Sequence, residues 1–143
     1  MERRKPKTHL MPMSQPDKIE DVFSGVCRQS TRHVPKYEET KELKYQVGDR
    51  LLIFEWLGKP YFSKWGRRIK ETVSFVGTML VCEDGVTIHD GYKPLPWDDG
   101  YLDGLAEKDG LKPPTGVRLK EVLFALHPEC DFERGEVFQV VRW

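Results

Sequence analysis

Apolar positions along the chain predict short helices and strands in an irregular order. Between residues 14 and 24, Ile19, Val22 and Phe23 share one helical face, Ser14 suits the cap and Pro16 the first turn. Gly25 follows as a left-handed stop, the conformation glycine adopts without steric cost. Residues 33–44 are polar, carry Pro35 and predict a loop. Leu51 to Leu57 is a near-continuous apolar run, the pattern of a strand buried on both faces. From Lys70 to Cys82 the residues alternate, with Val73, Phe75, Met79 and Val81 on one face. Gly77 within that strand marks a bulge or a close approach. Glu83-Asp84-Gly85 is a turn leading to a strand over 86–89, hence a hairpin. Proline and acid over 92–99 read as loop. Tyr101 to Lys108 is a helix weakened by Gly104. Thr115 caps a firmer helix that places Leu119, Val122, Leu123 and Leu126 on one face and stops before Pro128. Residues 136–143 form a closing strand.

This order lacks the regular alternation of a parallel α/β sheet. It predicts an α+β fold, a small mixed barrel or strongly curved sheet with short helices at its ends. Residues 1–13 are polar and proline-containing and read as a flexible basic arm, with an edge strand near His9-Leu10; residues 14–143 form one domain. The 143 residues suffice for one real core, and 32% charged against 38% apolar residues is a globular balance. No apolar run nears the roughly 20 residues that cross a bilayer. Cys27, Cys82 and Cys130 give neither a disulfide framework nor zinc spacing, so a reducing cytoplasm is the expected compartment.

Net charge is zero, yet its distribution is uneven. Lys59, Lys64, Arg67, Arg68 and Lys70 stand together without an acid, interleaved with Tyr61, Phe62 and Trp65. Cations that meet phosphate and rings that stack on unpaired bases make this a candidate nucleic-acid surface; the alternative is a solvated face with Trp65 covering the core. Between Glu83 and Asp109 eight acids face Lys93 and Lys108 alone, an acidic pole. His9, His33, His89 and His127 lack ligand spacing, and His89-Asp90 is a pair without a third member; neither a metal nor a cofactor is expected.

Gly25-Val26-Cys27-Arg28-Gln29-Ser30-Thr31-Arg32 resembles the G-x-K-x-x-T-x-R signature of the ASCH family, with cysteine at the lysine and serine at the threonine. Val47-Gly48-Asp49 is similar to the start of the family's second strand, and Lys64 to Arg68 to the basic-aromatic loop of its phage-type members. Leu105 to Leu111 resembles a helix end of the family, and Val137 to Trp143 its closing strand. The resemblance spans residues 10–143, and Gly48 to Trp56 also resembles a sibling family of PUA-like phage and bacterial proteins.

The resemblance implies a PUA-like β-barrel that meets RNA or modified nucleosides. Some small members are amidohydrolases acting on N4-acetylcytidine through a lysine, a threonine and a glutamate, matched here by Cys27, Ser30 and Asp109. A serine hydroxyl replaces threonine readily. Cys27 cannot supply an ammonium, although a stabilised thiolate would be a nucleophile; each of the three also has a plain structural role as small core residue, loop bond or helix end. The balance favours a binder of single-stranded or modified RNA over an enzyme. Arg28 and Arg32 would line its cleft, with Lys64, Trp65, Arg67 and Arg68 on the loop. The alternatives are the amidohydrolase, a ribonuclease, and a phage protein that docks on a host protein in the host cytoplasm.

Overall fold

The computed structural model describes residues 4–35, 37–88 and 94–143. Two sheets make its frame. The first has the order β1-β3-β4, from Thr8–Met13, Arg50–Trp56 and Trp65–Thr72. The second has the order β2-β8-β5-β6-β7, from Gln29–His33, Glu136–Arg142, Phe75–Val81, Gly85–Ile88 and Leu95–Pro96. Helices α1 (Ile19–Phe23), α2 (Tyr37–Thr40), α3 (Gly100–Lys108) and α4 (Gly116–Leu126) complete it. The fold is α+β as expected, but the strands form two separate sheets among the described residues rather than one closed barrel.

The break between sheets lies inside the stretch that alternation assigned to one strand. At Val73 and Ser74 the chain leaves β4 and enters β5. Val73 N donates to Asp49 O on one side, and Ser74 N donates to Arg142 O on the other. Buried Val73 sits in the corner, while Phe75 comes out exposed. Pairing of β5 with β8 runs unbroken from Phe75 to Val81, so Gly77 is no bulge; a Cβ there would touch the Phe75 ring and Val140. Those are ordinary contact distances, so neither a bulge nor a forced close approach accounts for that glycine.

Strand β8 is the member buried on both faces. Phe138 and Val140 join a core with Met79, Val86, Leu102, Leu119 and Leu123, under α3 and α4. Val141 and Trp143 join a second core with Met11, Met13, Val22, Leu51 and Ile53, under α1 and the first sheet. In the apolar run at β3, Leu51 and Ile53 point into the core; on the other face Leu52 is half-buried and Phe54 is buried, stacked on Trp65 with ring centroids 3.9 Å apart.

The hairpin at Glu83 to Gly85, both later helices and their stops agree with the pattern. Thr115 accepts from Arg118 N at the start of α4, and Asp99 accepts from Tyr101 N at the start of α3. Predicted features at His89, Asp90, Tyr92 and Lys93 lie outside the described residues, as does the start of the basic arm. From Thr8 onward that arm is an edge strand, parallel to β3 in register Thr8↔Arg50 through Met13↔Glu55. No helix among the described residues is long and apolar enough to cross a membrane.

Asp49 ties this strand down. Its carboxylate accepts from both Arg4 Nη atoms, from Lys7 N and Gln46 N, and bonds His9 Nε2 at 2.7 Å. Burial pushes the carboxyl up, but these bonds outweigh it and hold Asp49 well below the usual carboxylate range. A depressed folded pKa gives stability that is complete above the unfolded value of about 3.9 and is lost as pH falls through the folded one. Asp49→Ala, which strands Arg4 and His9, is expected to cost about 3–5 kcal/mol in urea unfolding at neutral pH. The difference from the parent protein should shrink as the pH is lowered below about 4.

Candidate active site

Strand β2 carries few apolar side chains, yet Gln29, Ser30 and Thr31 are all buried. It lies at the edge of the second sheet, pairing with β8 in register Ser30↔Val141 and Arg32↔Gln139. Residues two apart on a strand share a face, so Ser30 and Arg32 both look into the seam between the sheets. Arg32 Nε donates to Ser30 Oγ at 2.9 Å, and Arg32 Nη2 donates to Pro12 O at 2.9 Å, bridging to β1.

The helix expected over 14–24 forms only from Ile19, and this changes the chemistry of the site. Lys18 stands just before the first turn with φ −120° and ψ −5°, its N–H donating to Gln15 O. Its side chain enters the seam, where Nζ donates to Ser30 Oγ at 3.2 Å. Gly25 closes the helix at φ +85°, as the sequence implied.

Asp109 arrives from the end of α3. Its Oδ1 accepts from Gln29 Nε2 at 2.8 Å, and Gln29 in turn bonds Leu105 O and accepts from Arg142 Nε at 2.6 Å. Gly110, at φ +76°, permits the turn: a Cβ there would stand 2.8 Å from Lys18 Cβ and 3.1 Å from Cys27 Sγ. Lys18, Ser30 and Asp109 are 6%, 2% and 3% exposed. Around them opens a pocket of about 200 Å³, lined among others by Met13, Lys18, Ser30, Arg32, Asp109 and His127. That is below the roughly 300–1,000 Å³ of a cleft for a drug-sized ligand, so it suits one small group. Thr31 is also among the lining residues, and its Oγ1 is buried without a hydrogen-bond partner among the described residues.

Electrostatics follow from burial. Desolvation lowers the Lys18 pKa, Arg32 lowers it further, and Asp109 and Cys27 oppose the shift. Burial also lowers Arg32, opposed by Tyr45 and Asp109, though a guanidinium keeps its charge in proteins. The arrangement therefore holds a buried amine, its pKa lowered, beside a serine hydroxyl, with a fixed cation and a carboxylate close by.

The candidate residues named from the sequence separate into four places. Ser30, Arg32 and Asp109 meet at the pocket. Cys27 is 4% exposed and does not line it; its thiol bonds Gln29 O and Lys108 O and is pushed up, chiefly by burial. Arg28 points elsewhere, donating to Trp143 O at 2.7 Å and to Glu71. Lys64, Trp65, Arg67 and Arg68 lie on and beside the β3–β4 loop. There Arg67 is held by Glu20 and Glu55, whose bonds raise its pKa, and Arg68 lies over Trp65. Two site residues, Lys18 and Gln29, escaped the motif. A signal for Lys18 existed: it stands four residues before Val22, on the apolar face of the helix pattern.

The sequence matches no protein-family model and no curated protein. Its three-dimensional structure does find a counterpart, the crystal structure of an ASCH domain from Lactobacillus crispatus JV V101. The TM-score is 0.57 at 14% identity, over 96% of this chain and 77% of that one. The chain has the fold of an ASCH domain.

The Lys18 shift makes stability pH-dependent in a defined sense. Between its lowered folded pKa and the unfolded value of about 10.4, the unfolded chain holds the extra proton. Unfolding free energy from this residue therefore rises with pH across that window. Urea unfolding from about pH 7 to about pH 10 should show this slope in the parent protein and a flatter one in Lys18→Met; equal slopes would mean the amine is not desolvated.

Proposed function

We propose that this ASCH-type fold houses a serine–lysine amidohydrolase that removes an acyl group from a modified nucleoside such as N4-acetylcytidine. The observation that carries this reading is the buried Lys18 Nζ at 3.2 Å from Ser30 Oγ. The signature has a cysteine where the family's hydrolases use lysine; a lysine from a different element stands in the same cluster.

In the proposed reaction, neutral Lys18 takes the proton of Ser30 as Oγ bonds to the acyl carbon. Arg32 faces the negative charge that develops on the carbonyl oxygen. Collapse breaks the C–N bond, and the proton passes from Lys18 to the leaving amine. Water then attacks the acyl-serine and gives a proton to Lys18; the bond from the acyl carbon to Oγ breaks, Lys18 returns the proton to Oγ, and the carboxylic acid leaves with Ser30 restored. Asp109 balances the Arg32 cation and, held by Gln29, keeps the pocket floor fixed.

A second reading, single-stranded RNA contact, is favoured by the β3–β4 loop. Tyr61 and Phe62 are each 81% exposed there, flanked by Lys59 and Lys64, with Arg68 following on β4. Because Arg67 is already paired with two carboxylates, Lys59, Lys64 and Arg68 would carry such contact. Arg28 serves the far side of the sheet and would not contribute to it.

The expected result is release of cytidine and acetate from N4-acetylcytidine, with activity rising with pH through the pKa of Lys18. Ser30→Ala and Lys18→Met should each lower kcat/KM by about 10²–10⁴-fold, whereas Cys27→Ala should keep most of it. No turnover at high enzyme concentration, or full activity in Lys18→Met, would overturn the proposal. For the loop, Lys64→Ala with Arg68→Ala should weaken single-stranded RNA binding and reduce its salt dependence; unchanged binding would remove that reading.

A further inference from the structure

On the far side of His127 from the pocket, four donors from separated parts of the chain meet. His33 ends β2, His127 caps the end of α4, and Glu129 and Cys130 follow in the turn toward β8. One ligand atom of each lies within 4.8 Å of all the others. Cys130 Sγ stands 3.5 Å from His33 Nε2 and 3.8 Å from His33 Nδ1, and His127 Nδ1 stands 3.4 Å from Glu129 Oε1. Tetrahedral ligands at Zn–N and Zn–S lengths of about 2.0–2.3 Å are themselves roughly 3.3–3.8 Å apart. The widest separation in the cluster, at most 4.8 Å, exceeds this range by about 1 Å.

We propose that His33, His127, Cys130 and Glu129 form a binding site for one zinc-type divalent cation. Two imidazoles, a thiol and a single carboxylate select a borderline metal over magnesium or calcium, which take oxygen ligands. An outer partner is already in place: Glu136 Oε2 lies 3.2 Å from His33 Nε2. Metal-bound histidines commonly give their second nitrogen to such a carboxylate, which leaves His33 Nδ1 for the ion. Phe138 packs against both imidazoles, with centroids 5.0 and 5.2 Å away, and limits their rotation. On binding, the cation would displace the Cys130 proton to solvent and form the metal–thiolate bond. It would fasten the end of α4 to β2, one residue beyond Arg32, and so brace the wall of the Ser30 pocket. The motif His127-x-x-Cys130 has no neighbouring histidine in sequence; the third ligand comes from 94 positions away from His127, as the numbering in the chain shows.

The test uses the full chain, stripped with chelator and then titrated with zinc chloride or cobalt(II) chloride alone. One equivalent should bind, raise the Tm, and in the cobalt form give a thiolate-to-metal charge-transfer band in the near ultraviolet. Cys130→Ser should abolish the band and Cys82→Ser should leave it. Glu136→Ala, which removes no ligand, should weaken zinc binding by about 10–100-fold. Circular dichroism of each variant establishes that it is folded. Absence of stoichiometric binding by the folded parent protein would show a hydrogen-bonded cluster only and overturn the proposal. Zinc affinity unchanged in both Cys130→Ser and His33→Gln would overturn it equally.

Discussion

Desolvated charge in the seam between the two sheets is the constraint around which the structure is arranged. Lys18, Arg32 and Asp109 come from three elements and meet where water is largely excluded. An isolated buried charge is costly, so each needs partners, and those partners fix the elements that carry them. Arg32 reaches Pro12 and so joins β2 to β1. Gln29 reaches Asp109 and Leu105 and so joins β2 to α3. Lys18 reaches Ser30 and so fixes the turn before α1. One strand is thereby held by polar bonds to three neighbours.

The two apolar cores lie on either side of this seam, and β8 belongs to both. A strand with one polar face could not separate two cores; β8 can because Phe138, Val140, Val141 and Trp143 are apolar on alternate faces. Its one buried polar residue, Gln139, accepts from Lys44 N and Tyr45 N through Oε1 and donates from Nε2 to Tyr45 O. At the outer edge, Asp49 gathers five donors and keeps β1 in place as the pocket's opposite wall. Without β1, the Arg32 guanidinium would lose Pro12 O and the pocket would lose Met13.

A buried lysine beside a serine is a poor choice for stability alone, since an apolar pair would pack there without desolvation cost. Perturbed ionisable groups gathered in a concave site mark a candidate functional site. The same reasoning separates Arg67 from the pocket: its ion pairs with Glu20 and Glu55 are exposed and tie α1 to β4 at the surface, where such pairs contribute little. The loop beyond it keeps exposed rings at Tyr61 and Phe62, so pocket and loop present different chemistries on one small fold.

The sequence by itself determined the elements whose signals are local. Apolar spacing and Thr115 located α4, the Glu83-Asp84-Gly85 turn located the hairpin, and Gly25 located a left-handed stop. It also carried enough of a signature to anticipate the ASCH-type fold through Gly25, Ser30 and Arg32. It could not show β2, because that strand buries Gln29, Ser30 and Thr31 and hydrophobic periodicity is silent on polar residues. Nor could it show the corner at Val73, where alternation continues while the chain changes sheets. Nor could it show that Lys18 enters the seam beside Ser30, or that His33 meets His127 from a distant part of the chain. Those meetings are decided by which strand pairs with which, and pairing depends on burial and hydrogen bonding across the whole chain rather than on spacing within any part of it.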